Sequence, residues 1–183
     1  AELEMDEQRE INRILRELCI LLKPFAPALK QGLDSLVYLD FVKAKALLAV
    51  ELKATLPQLN NQFELQVNRA YHPILFLQNK RLSKSTIPLS LSLNQQQRVL
   101  VISGPNAGGK TIALKTIGLL QIMLQSGLLI PVHENSVFSF FEHILIDIGD
   151  TQSIENELST YSAKLKSMTS ILNQVNESSL VLM

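Results

Sequence analysis

The sequence predicts an α/β fold, a sheet flanked by helices and preceded by an all-helical segment. Three observations predict it. Apolar residues recur at three and four through residue 57 and then switch to alternation, the periods of helix and strand. A short all-apolar run, Val99–Ile102, leads into a glycine loop and then an amphipathic stretch, giving the order strand, loop, helix. Glycine is scarce, 7 in 183 residues, yet Gly104, Gly108 and Gly109 fall within one six-residue window.

The helical segment spans residues 1–57. Ile11, Ile14, Leu15, Leu18 and Leu22 mark one helix face, and Pro24 and Pro27 interrupt it. Cys19 lies on that face and reads as a small buried hydrophobe. A second series from Leu29 to Leu52 predicts a helix of over 20 residues, closed by Pro57. Phe63, Leu65 and Val67 alternate with polar residues, a half-buried strand. Tyr71-His72-Pro73 interrupts, Ile74–Leu77 is a short apolar run, and residues 78–98 read as polar loop with room for another alternating strand at Leu89, Leu91 and Leu93. Val99–Ile102 is expected to be a strand buried on both faces. Thr111–Ser126 is helical, with Gly127 as its cap. Strands are expected at Val137–Phe141 and His143–Ile148, a helix over about 159–176, and an apolar run at Leu180–Met183.

Composition narrows the function. Seventeen basic and 17 acidic residues cancel, which excludes a globally basic nucleic-acid binder. A hydrophobic share of 46% against 19% charged excludes a disordered chain. The single cysteine excludes a disulfide framework and a cysteine-based zinc site, and fits an intracellular, cytoplasmic setting. No apolar stretch approaches the ~18 residues of a membrane span, and the acidic N-terminus is unlike a signal peptide. His72 precedes a proline and reads as structural, and His133 and His143 have no partners at ligand spacing.

The chemistry lies in Gly104-Pro105-Asn106-Ala107-Gly108-Gly109-Lys110-Thr111, which matches G-x-x-x-x-G-K-[ST], the Walker A loop. For this composition and length, chance supplies roughly 0.002 matches. Glycine lets successive backbone N–H groups turn toward one anion, and the helix that follows adds its free N–H groups and positive dipole end. Lys110 offers a charge to the β and γ phosphates, Thr111 a hydroxyl to Mg²⁺, and Asn106 a donor on the γ-phosphate side. The alternative is a glycine turn with a stray lysine. With this loop, residues 58–183 become the first part of a P-loop NTPase-type domain. Such a domain needs an acid after a second buried strand. Asp147 is one candidate. The other lies beyond Leu180–Met183, an apolar run expected to be cut short before its acids, and this second reading is favoured.

The segment LVISGPNAGGKTIALKTIGLLQIMLQSGLLIP resembles the MutS family of DNA-repair ATPases. So do Ala70-Tyr71-His72-Pro73, the stretch IDIGDTQSIENELSTYSAKLKSM, and LVLM, which resembles the strand that normally runs into Asp-Glu. Gly-Lys-Thr in the loop, DIGDTQSIENELST, and LDFVKAKALLAVELKATLPQLN resemble the second, Smr-linked lineage. The resemblance covers nearly the whole chain and makes residues 1–57 a helical core or lever segment. It implies ATP and Mg²⁺ as cofactors and a homodimer joined head to head through its ATPase domains. Ser159 and Thr160 would then reach the γ-phosphate in the partner's loop, a role to weigh against helix capping. Leu59 would take the adenine-contact position, to weigh against an ordinary core leucine.

The family's Walker B acids, later catalytic histidine, clamp, N-terminal region and Smr nuclease module are not in these residues, so the resemblance implies a piece of a larger protein with weak or no turnover. DNA would be held mainly by those other regions. Residues 1–93 carry 12 basic and 10 acidic groups and residues 94–183 carry 5 and 7, so no basic stripe stands out. The function implied is an ATPase-domain portion that couples nucleotide binding and hydrolysis to binding of mismatched or branched DNA, in repair, in suppression of recombination or at stalled ribosomes. Two alternatives stay open: a self-contained P-loop kinase or transferase with Asp147 as the Mg²⁺ acid, and a non-catalytic interaction module.

Overall fold

The structure is a computed structural model that describes residues 2–105, 108–148 and 157–183, without the side chains of residues 157–161 and 163. It divides into two compact units, Ala1–Ala46 and Leu47–Met183.

The first unit is helical. Helix α1 spans Glu2–Leu22, a 3-10 turn covers Lys23–Phe25, and helix α2 runs Ala26–Leu52, crossing into the second unit. The two prolines sit at these joints. Pro24 opens the turn and Pro27 lies in the first turn of α2, where a helix has no use for a backbone N–H. Arg13 bridges to Glu10 and Glu17, each at 2.6 Å, tying the surface of α1 together at helical spacing. The apolar stripe of α1 is uncovered among the described residues: Ile11, Ile14, Leu15, Leu18 and Leu22 are 40–58% exposed. Cys19, expected to be buried, is therefore exposed. Helical spacing shows that a stripe exists, not that a surface covers it.

In the second unit α2 ends at Leu52, ahead of Pro57. Lys53 turns to a left-handed φ of 52° and the Ala54 N–H donates to the Ala49 carbonyl at 2.8 Å, a helix stop made by the backbone. Strand β1 (Gln58–Asn60) runs parallel to β4 (Val137–Ser139). Strand β2 (Leu65–Ala70) is antiparallel to both β4 and β3 (Leu89–Leu93), so the sheet order is β1-β4-β2-β3. The strand expected from Phe63 starts at Leu65, because Phe63 takes a φ of 51°. The apolar run after Tyr71 opens helix α3 (Pro73–Arg81). Helix α4 spans Lys110–Gln125 and α5 spans Glu157–Gln174. Strands β5 (His143–Ile146) and β6 (Ser179–Leu182) form a separate parallel pair.

The fold is thus α/β, with helices and a mixed sheet. Leu52, Leu65, Val67, Ile117, Leu120, Phe138, Leu180 and Leu182 lie in its buried core. A second expectation fails, after that for Cys19. Val99–Ile102 joins no ladder among the described residues, and Val99 and Val101 are 82% and 81% exposed rather than buried. Strand formation is decided by a partner edge more than by local preference, and no described strand pairs with this run. Among the described residues no helix is long and apolar enough to cross a membrane.

Candidate functional site

The site is built on the first turn of α4. Gly109 caps it at a φ of 83°, in the left-handed region where a Cβ would be strained, and no side chain caps this end. The first-turn N–H groups of a 16-residue helix are thus not spent on a side-chain cap, and its dipole points the same way. Behind it the Gly108 N–H donates to the Pro105 carbonyl at 2.9 Å, drawing the loop into a tight turn. The Lys110 ammonium folds back over this loop, donating to the Gly104 carbonyl and, at 2.7 Å, to the Pro105 carbonyl. A flexible cation held by two carbonyls is free to exchange them for a stronger acceptor. Thr111, next along the helix, is exposed. Asn106 and Ala107 lie outside the described residues.

Lys110 and Thr111 line a cavity of about 390 Å³ together with Leu114, Asp147, Lys164 and the run Leu100–Ile102. Asp147 follows β5, and its N–H donates to the Leu182 carbonyl at 2.8 Å, extending the β5–β6 ladder to the cavity edge. Its Oδ2 is buried, accepts no hydrogen bond from a described residue, and lies 3.7 Å from the Lys164 ammonium of α5.

Three features hold the helix that carries the loop. The Thr116 hydroxyl donates to the Ile112 carbonyl at 2.6 Å. At Gly118, a Cβ would stand 2.9 Å from Leu182 Cδ1 and 3.4 Å from Ile146 Cδ1, so the missing side chain lets α4 lie against β5 and β6. The Gln121 amide donates to the Ser139 carbonyl at 2.8 Å and to Gln125 Oε1 at 2.7 Å. Gln125 then pairs with both backbone groups of Phe141, each at 3.0 Å. Gly118 had a signal in the sequence, a mid-helix glycine in a glycine-poor chain. Gln121, Gln125 and Lys164 had none, because their roles rest on which strand lies opposite.

Elsewhere the expected residues spread out. Ser159 and Thr160 lie in the first turn of α5, with side chains outside the described residues. Leu59 sits in β1 opposite Phe138 of β4 and does not line the cavity. His72 is structural. It caps α3, its Nδ1 accepting from the Leu75 N–H at 3.5 Å. Burial holds its pKa below the usual imidazole value, and the charge of Lys115 pushes the same way.

Comparison with known proteins gives one consistent result. The family model described as MutS domain V matches residues 100–183. Over 182 residues the chain is 46% identical to Endonuclease MutS2 of Shouchella clausii and 42% identical to that of Caldanaerobacter subterraneus subsp. tengcongensis. It is 45% identical over 176 residues to Endonuclease MutS2 of Pediococcus pentosaceus. These alignments take in 96–100% of this chain and 22% of each relative, so the chain spans about a fifth of the length of the proteins it matches.

Proposed function

We propose, from the premise that this chain belongs to the MutS family, that it binds ATP with Mg²⁺ at the first turn of α4. On this reading residues 1–57 are the helical core segment and residues 58–183 the first part of the P-loop ATPase domain of a MutS-like DNA-repair protein. One observation carries the proposal: Gly109 turns the loop into an uncapped helix end whose first residue, Lys110, holds its ammonium over the loop carbonyls. The orphaned Asp147 Oδ2 in the same cavity fits a cation-bearing ligand rather than a bare anion.

When bound, Mg·ATP supplies a phosphoanhydride whose hydrolysis releases energy to conformational change. The chain's own part is to hold it. The first-turn N–H groups of α4, which no side chain caps, would face the phosphates. Lys110 would leave its carbonyls for phosphate oxygens, and Thr111 would present its hydroxyl to the cation. Ser159 and Thr160 would act on the γ-phosphate of a partner protomer, in a homodimer joined through these domains. The whole protein would couple this cycle to mismatched or branched DNA, or to ribosomes, in the cytoplasm. Its relatives' printed name adds an endonuclease, whose residues we place outside this chain.

The experiment is binding of the fluorescent analogue mant-ATP to the 183-residue chain. Lys110→Ala is expected to weaken it by about 2 kcal/mol or more, the scale of a charge-assisted hydrogen bond. Wild-type affinity in Lys110→Ala sinks the proposal. Rapid ATP turnover by this chain, lost in Asp147→Ala, would instead favour a self-contained kinase.

A further inference from the structure

Asp147 is the one acidic side chain among the described residues lining the cavity at Lys110 and Thr111. Its side chain is 19% exposed, and its Oδ2 is buried and accepts no hydrogen bond from a described residue. Among the described residues the ion-pair partner is the Lys164 ammonium, which stands at 3.7 Å, beyond hydrogen-bond range, on a side chain that is 42% exposed. A buried carboxylate oxygen left unpaired is costly, and a half-exposed lysine at that distance offsets little of the cost. The Asp147 N–H donates to the Leu182 carbonyl at 2.8 Å, which places the residue at the end of β5, where its side chain lines the cavity. Mg²⁺ is held in nucleotide sites by one or two carboxylates plus phosphate oxygens and water, and this cavity offers one hydroxyl and one carboxylate toward such an ion.

We propose that Asp147 is a cation-side residue of this nucleotide site. It would hold the divalent ion that accompanies ATP, directly or through water, in the cavity that Thr111 also lines, and Lys164 pairs with its carboxylate when no cation does. The inference rests on the nucleotide reading given above. It also gives α5 a link to occupancy: cation entry frees Lys164, which lies on the same helix as Ser159 and Thr160.

The test is mant-ATP affinity of the whole chain measured with excess Mg²⁺ and again in EDTA. Asp147→Asn is expected to lose about 10–100-fold in affinity with Mg²⁺, the usual scale for losing a group that supports a metal, while its affinity in EDTA matches the unaltered chain. Lys164→Met is expected to keep or enlarge the gain that Mg²⁺ brings. Asp147→Asn binding as tightly as the unaltered chain with Mg²⁺ overturns the proposal. So does an equal loss in both buffers with an unchanged melting curve, which would make Asp147 structural. If Asp147→Asn melts early, Lys164→Met decides, and a smaller Mg²⁺ gain in that variant overturns the proposal. Failure of the unaltered chain to bind mant-ATP in either buffer overturns the nucleotide reading and this inference together, an outcome distinct from a fault confined to Asp147.

Discussion

A Cβ at Gly118 would press Leu182 Cδ1 at 2.9 Å, with Ile146 Cδ1 behind it. Gly118→Val should therefore destabilise the chain by about 1–3 kcal/mol, the cost of overpacking, and lower the melting temperature. Gly32, inside α2, has nothing within 4 Å of the same atom. Gly32→Ala should gain up to ~1 kcal/mol of helix stability, read as higher far-UV helicity. His72 offers a pH test. Its folded pKa lies below the ordinary value of 6.5 because burial disfavours the charged ring. Between the two pKa values the unfolded chain binds more protons, so stability rises with pH there. The contribution is complete above pH 6.5 and fades as pH falls toward the folded pKa. Thermal melts should show an acid-side loss that shrinks in His72→Asn, which keeps a capping acceptor without a titrating ring. Unchanged acid sensitivity in that variant would assign the effect elsewhere.

Among the elements, α1 carries its apolar stripe and Cys19 in the open. A thiol reagent should label Cys19 fully in native buffer, at a rate close to that in denaturant, and slow labelling would mean that something covers this face. Expectations from periodicity were met where the partner of a residue is its own neighbour. The α4 helix and its Gly127 stop, the long α2, and the left-handed Gly109 ahead of α4 depend on local spacing and backbone freedom, and all stand out in the sequence. They were missed where the partner is remote. The run Val99–Ile102 has the apolar character of an inner strand but joins no ladder among the described residues. Ile74–Leu77 was too short to assign by period, and Pro73 with the His72 cap makes it the start of α3. The lining of the candidate site by Lys164 and the strapping of α4 by Gln121 and Gln125 depend on strands distant in sequence. No spacing rule reports them.

For the molecule as a whole, the two units differ in what they bury. Helix α1 buries none of its residues, and the only buried residue of α2 is Leu52, in the second unit. The second unit holds the core from Leu52 to Leu182. Hydrogen exchange should follow this division, with amides of α1 exchanging at rates near those of a free helical peptide and amides around Leu120 protected by orders of magnitude. Equal protection in both would show a cover for the first unit. The paired amides of Gln125 and Phe141 carry a kinetic consequence. They are 16 residues apart, and they let a side chain stand where a neighbouring strand would normally supply both hydrogen bonds. Closing so short a loop costs little chain entropy, whereas the β5–β6 ladder must bring His143 to Ser179. The turn from α4 back to β5 is thus suited to form early in folding and to template the longer-range pairing that follows.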